Sequence, residues 1–311
     1  MSVPARPLVH PLPPDAGTTL GPICTLEQVG ESDRWSHLPA ELPIAASVAS
    51  GVLGKAAPGA QVDRVVYASS VPLQVPHMGG FALSDALELQ PGHIVDLGNH
   101  CAALLDAVWL GSTLWRSQSS LIVAPTELGR AVSDEMRAGK PGCRQWCDGA
   151  AAVLLGVGGE RRLRPLAYVT AVAPAMRGML AVRPKDGGFK FELNPEIGVQ
   201  FRAMDMDTEL AVVAEALTAA DCQAPDLAGV VVVNRAGGRT RLIAPSLGID
   251  PARVFSSREQ HGHGGAADFL INLRQLMTDA GPGRHRALLI GNGLGYCWSA
   301  LVVELRVPAT P

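Results

Sequence analysis

The chain has 311 residues, 47% of them apolar and 18% charged, with a formal net charge of -3. That is long enough for one or two domains with real cores, and too apolar for a disordered chain. No Lys/Arg-rich block marks a large nucleic-acid footprint. No run of 18 uncharged apolar residues marks a membrane span, and Met1 to Pro14, with five prolines, reads as neither signal peptide nor membrane anchor.

In chain order, the first 40 residues are rich in Pro, Gly and Ser and read as irregular. Ile44 to Gly54 reads as a short helix of small residues. Arg64 to Ser69 (RVVYAS) reads as a buried strand, Gly80 to Glu88 as a helix and Ile94 to Asp96 as a short strand. Gly98-Asn99-His100-Cys101 makes a turn before Ala102 to Leu114, a helix charged only at Asp106. Ser120 to Ala124 and Ala150 to Gly156 read as core strands. The second half follows a similar order. Asp207 to Ala219 has helical period, Ala228 to Val233 reads as a strand ending at Asn234, and Arg239 to Leu247 as a helix interrupted by Pro245. A short strand at Arg253 to Phe255 leads to His261-Gly262-His263-Gly264-Gly265. A helix from Ala266 to Met277, a strand from Arg286 to Ile290, a Gly291-Asn292-Gly293 turn and a last strand from Ser299 to Leu305 complete the chain.

The two halves therefore share a plan: strand, helix, short strand, Gly-containing elbow, buried helix, strand. Val65 to Cys101 spans 36 positions and Val231 to His263 spans 32. This points to an internal duplication, with one half over 1–160 and the other over 161–311. Two parallel α/β units side by side predict an α/β/α/β/α layering with a pseudo-twofold, and both elbows facing one crevice.

That crevice would hold a thiol and an imidazole. Cys101 starts a helix, where backbone N–H groups and the helix dipole favour a thiolate and an oxyanion. His263, flanked by glycines, is placed to take and return the thiol proton, with His261 as the alternative partner. Asn234 ends an apolar strand, a position where polar groups in parallel α/β folds often face a site. Asn292 is an auxiliary candidate, and the Gly293 turn suits a backbone donor rather than a dinucleotide site, because no βαβ unit follows it. The bland alternatives are a packed core thiol, loop histidines and an ordinary strand-end asparagine. Six cysteines form no disulfide scaffold. Cys143 and Cys147 lack a second pair and no HExxH occurs, so no metal site is expected.

Four segments in this order resemble the thiolase-like condensing enzymes, in particular the β-ketoacyl-acyl-carrier-protein synthase III group. They are DLGNHCAALLDAVWLG around Cys101, CDGAAAVLLG from Cys147, LGIDPARVFSSREQHGHGGAADF through His263, and ALLIGNGLGYCWSALVVEL to Leu305. The resemblance runs from about Asp63 to Leu305. It implies a thiolase-like α/β fold of duplicated halves and an acyl-Cys101 intermediate, with the Cys101 and Gly293 N–H groups as oxyanion hole. It departs at the catalytic pair: Asn234 stands where the family has histidine, and His263 where it has asparagine. The resemblance implies thioester substrates on coenzyme A or acyl-carrier-protein phosphopantetheine, no metal or redox cofactor, a homodimer, and a cytoplasmic site. It points to a ketosynthase III-like condensation in a specialised biosynthetic pathway. Acyl transfer to an alcohol or amine is one alternative. A non-catalytic subunit of a heterodimeric ketosynthase is the other.

Overall fold

The structure is a computed structural model. It describes residues 5–13, 16–39, 41–56, 60–70, 78–115, 118–127, 146–156, 161–176, 180–185, 188–234, 237–293 and 297–309. The first half contains β1 (Leu8–His10), β2 (Thr18–Thr25), α1 (Leu26–Val29), α2 (Leu42–Lys55), β3 (Arg64–Ala68), α3 (Gly79–Ala86), β4 (His93–Leu97), α4 (Ala103–Thr113), β5 (Ser120–Glu127) and β6 (Asp148–Leu155). The second contains β7 (Arg162–Val172), a hairpin of β8 (Leu180–Lys185) and β9 (Gly188–Leu193), then α5 (Pro195–Ala219) and β10 (Leu227–Val232). It closes with α6 (Gly237–Leu247), β11 (Val254–Phe255), α7 (Arg258–His261), α8 (Asp268–Ala280), β12 (Gly283–Gly293) and β13 (Cys297–Val307).

Pairing makes the duplication explicit. The first half orders its strands β2-β6-β5-β3-β4, and the second orders them β7-β13-β12-β10-β11. In each, the first two pairings are antiparallel and the last two parallel. A short β2–β7 pairing at Thr18 and Thr19 joins the halves.

Alternation along the strands sets the layers. Val65, Tyr67, Leu121 and Val123 pack outward with α2, while Val66, Ala68, Ile122 and Ala124 pack inward. Val230, Val232 and Leu288 pack outward with α5, while Val231, Val233 and Leu289 pack inward. The inner faces of both sheets share one core with Leu104, Leu105 and Val108 of α4 and Phe269, Leu270 and Leu273 of α8. Strands apolar on both faces are what a doubly covered sheet requires. The result is the duplicated five-layer, thiolase-like α/β arrangement.

The structure differs from four expectations, the first being Gly291-Asn292-Gly293, which is not a turn but the end of β12, paired with Ser299, Trp298 and Cys297 of β13. Residues 1–40 are not simply irregular: β2 is largely buried and pairs with both β6 and β7. Gly21 and Pro22 hid it, and the pairing accommodates them with a register shift between Leu20 and Ile23. The long β7 was not anticipated either. Its Pro165 lies beside a second register shift, opposite Val302 and Val303. Pro245 does not interrupt α6, because it falls in the last turn of a continuous helix. Cys143, and residues 294–296 of the quoted C-terminal motif, lie outside the described residues.

Candidate functional site

Two elbows meet between the sheets. The first follows β4: His100 adopts the left-handed region at φ 47°, and residues 100–102 form a 3-10 turn before α4. Left-handed backbone at a bulky residue is costly and persists only where its surroundings hold it. Here His100 Nδ1 lies 3.1 Å from the Ser70 carbonyl oxygen, and burial lowers the His100 pKa. The second elbow runs from Gly262 (φ 75°) through His263 and Gly264 to Gly265 (φ 65°), and then into α8.

Each elbow sits on the other half's strands. Gly293 of β12 lies against the first elbow, where an added Cβ would stand 3.0 Å from the Asn99 carbonyl oxygen. At Gly265 an added Cβ would meet Ser70 Oγ at 2.3 Å and Thr126 Oγ1 at 2.5 Å. Ser70 Oγ accepts the Ala266 N–H at 2.6 Å. Gly149, from the CDGA segment, lets β6 close on Gly264, and the Cys147 N–H donates to the His263 carbonyl oxygen at 3.1 Å. The pseudo-twofold thus brings one residue from each half to a common point.

At that point Cys101 Sγ lies 3.5 Å from His263 Nε2. His263 Nδ1 lies 2.7 Å from Asp268 Oδ2, and Asp268 is only 1% exposed. The carboxylate is held from two further sides: Oδ2 accepts the Asn234 N–H at 2.9 Å and Oδ1 the Gly264 N–H at 3.0 Å. Those contacts fix which oxygen faces the imidazole. Burial alone pulls an imidazole pKa down. The charges of a Cys101 thiolate and the Asp268 carboxylate, with hydrogen bonds to both, more than reverse this and raise His263 from 6.5 to about 10. Cys101 is 7% exposed and His263 9%, so both lie near the limit of solvent access. Chemically, such an arrangement can act as a nucleophile, a base and an orienting carboxylate.

The structure brings Cys101 and His263 together, and does not bring Asn234 with them. The Asn234 side chain is 0% exposed. Its Nδ2 donates to Ser257 Oγ at 3.0 Å and to the Gly262 carbonyl oxygen at 2.9 Å. Its Oδ1 accepts from Ser256 Oγ and Asn272 Nδ2, both at 3.0 Å. Two donors and two acceptor sites fill an amide's capacity, so this side chain anchors the second elbow from behind. His261 turns outward and its Nδ1 pairs with Glu27. Asn292 faces the other side of β12, where Nδ2 donates to Asp205 Oδ1 at 3.1 Å. Asp268 was missed because an acidic residue at a helix start reads as ordinary capping. The available signal was its setting within GGAADFL, where small and apolar residues leave a carboxylate little water.

The second elbow and its neighbouring strands lie in a segment with a recognisable relative. Residues 217–305 match the family model for the C-terminal part of 3-oxoacyl-[acyl-carrier-protein] synthase III. No curated protein matches the chain. The fold is shared with solved structures at low identity. 3-Oxoacyl-(acyl carrier protein) synthase III, FabH, from Pseudomonas aeruginosa PAO1 is 20% identical, with 95% of this chain and 100% of that one covered and a TM-score of 0.74. The synthase III of Aquifex aeolicus VF5 is 18% identical, with 93% and 100% covered and a TM-score of 0.72. ChlB3, described as an acyltransferase, is 21% identical, with 94% and 99% covered and a TM-score of 0.70. Likeness to synthase III, read first from four motifs, thus holds for the fold of nearly the whole chain.

Proposed function

We propose that this chain is an acyltransferase that takes an acyl group from a thioester onto Cys101 and passes it to an alcohol or amine. The observation that carries the reading is the continuous Cys101–His263–Asp268 relay, at 3.5 and 2.7 Å. The Cys101 thiolate attacks the thioester carbonyl, with the N–H groups of Cys101 and Gly293 proposed as oxyanion donors. The tetrahedral adduct collapses, the donor C–S bond breaks, and the departing thiolate takes the proton from the His263 imidazolium. Acylation neutralises the sulfur and so removes one of the charges that raise the His263 pKa. The imidazole is then free to act as a base. Nε2 takes the acceptor's O–H or N–H proton as the acceptor attacks, and Cys101 leaves as the thiolate. Asp268 steadies Nδ1 throughout.

Condensation, favoured from sequence, is the weaker reading. Holding a malonyl-derived enolate asks for two neutral donors on one carbonyl. Here the single imidazole is tied to a carboxylate, and the Asn234 amide is committed to Ser256, Ser257, Gly262 and Asn272. Donors carried on coenzyme A or acyl carrier protein, a homodimeric assembly, a cytoplasmic setting and a place in specialised biosynthesis are parts of the same proposal, drawn from the fold likeness. No helix among the described residues is long and apolar enough to cross a membrane. The test is to isolate the S-acyl enzyme and divide it between a small alcohol or amine panel and malonyl thioester. Ester or amide formation without carbon dioxide release is expected. Carbon dioxide release coupled to loss of the acyl group would overturn the choice.

A further inference from the structure

A cavity lies against the Asn234 network, lined in part by Ser256 and Arg258, which both bond to Asn234. We propose that it binds a small organic oxyanion, a phosphate or carboxylate head group carried on an apolar body. This stands independently of the acyl-transfer reading. The cavity measures about 520 Å³ and lies between α6, β11 and α7.

Three polar groups define its character. Arg258 is only 9% exposed, and burial lowers its pKa, opposed by the charge of Asp268. Its Nη1 donates to the Asn234 carbonyl oxygen at 2.8 Å. That leaves other guanidinium donors without a hydrogen bond among the described residues, and a nearly buried guanidinium with spare donors favours an oxyanion. Thr240 supplies a buried hydroxyl, Oγ1, that has no hydrogen-bond partner among the described residues. A buried hydroxyl left unpaired is costly, and a χ1 rotation that turns it to a ligand oxygen in the cavity would relieve that cost. Arg241 stands at the mouth, 83% exposed, with only a 4.0 Å contact to the exposed Glu259. Such an exposed pair is weak and yields readily to a ligand. Ala244, Pro251 and Val254 supply the apolar wall, which suits a ligand with a body beyond its head group.

Phosphate and carboxylate present the same chemistry to an arginine fork, so the test separates them. Isothermal titration of the full chain uses phenyl phosphate, benzoate, inorganic phosphate and phenol. Saturable binding of phenyl phosphate or benzoate, with phenol silent, is expected, and the tighter of the two identifies the head group. Weaker binding of inorganic phosphate than of phenyl phosphate shows that the wall contributes. Arg241→Gln and Thr240→Val should each weaken binding, by about tenfold for loss of one hydrogen bond to an ion. Arg258→Lys keeps the charge at the buried position and should also weaken binding, through loss of the fork. Arg284→Gln, in a separate basic cleft near β12, should leave affinity unchanged. No saturable binding of either organic anion overturns the proposal. So does binding lost with Arg284→Gln and indifferent to Arg241→Gln and Thr240→Val.

Discussion

Asp268→Asn is the most informative single change, because it keeps the shape of the side chain and removes its charge. Three donors converge on this carboxylate: His263 Nδ1, the Asn234 N–H and the Gly264 N–H. An amide offers only one oxygen, so its NH2 must face at least one of those donors. That mismatch costs about 1–3 kcal/mol of stability. The effect on reactivity is separate. Against the burial that lowers it, Cys101 and Asp268 together raise the His263 pKa from 6.5 to about 10, a net effect on the order of 5 kcal/mol. Removing an opposite charge at hydrogen-bond distance typically costs an ionised group about 1.4–4 kcal/mol, so loss of the carboxylate depletes the imidazolium form of His263 and slows Cys101 alkylation by about tenfold or more at neutral pH. The assay is the rate of iodoacetamide alkylation at Cys101, followed by intact-protein mass spectrometry across pH. In the wild type the imidazolium persists to about pH 10 and is lost above it. In Asp268→Asn that limb moves toward the ordinary imidazole range, and the neutral-pH rate drops. A folded variant with a rate within about twofold of wild type and an unchanged pH profile would refute the reasoning, since loss of about 1.4 kcal/mol or more changes a rate at least about tenfold.

Other substitutions separate chemistry from support. Asn234→Ala orphans Ser256, Ser257, Asn272 and the Gly262 carbonyl oxygen, so denaturant unfolding should show a loss of about 3 kcal/mol or more. Gly265→Ala combines a positive φ with a Cβ 2.3 Å from Ser70 Oγ, and should reduce stability and the Cys101 alkylation rate together. Glu41 is 1% exposed and burial raises its pKa above 4.5, so the folded state holds its proton more tightly than the unfolded chain. Stability from this group therefore falls as pH rises above 4.5, and Glu41→Gln, which carries no such proton, should gain in melting temperature over wild type from pH 5 to pH 8. A constant difference across that range would remove burial of the charge as the cause.

Much of the fold was legible because covered parallel strands carry a strong signal: runs such as Arg64 to Ser69 and Val230 to Val233 leave little alternative to a buried strand. The elbows were legible through their glycines and through the matched order of elements in both halves, which is why Cys101 and His263 were paired across 162 positions. β2 was not, since Gly21 and Pro22 break the local pattern and only pairing on both sides makes the strand. The role of Asn234 was half legible. The residue at that strand end does meet Asp268, but through its backbone N–H, while its amide turns to the loop behind. Side-chain direction of that kind depends on Ser256, Ser257 and Asn272, which no spacing rule ties to it. Asp268 was hidden by its resemblance to a routine helix-start acid.

The nucleophile itself is tested most directly by intact-protein mass spectrometry after incubation with a panel of acyl-coenzyme A thioesters. A single added acyl mass is predicted, mapped by proteolysis to Cys101, absent in Cys101→Ala and formed far more slowly in His263→Ala. Acylation that persists in Cys101→Ala, or that runs at the wild-type rate without the imidazole, would contradict the account.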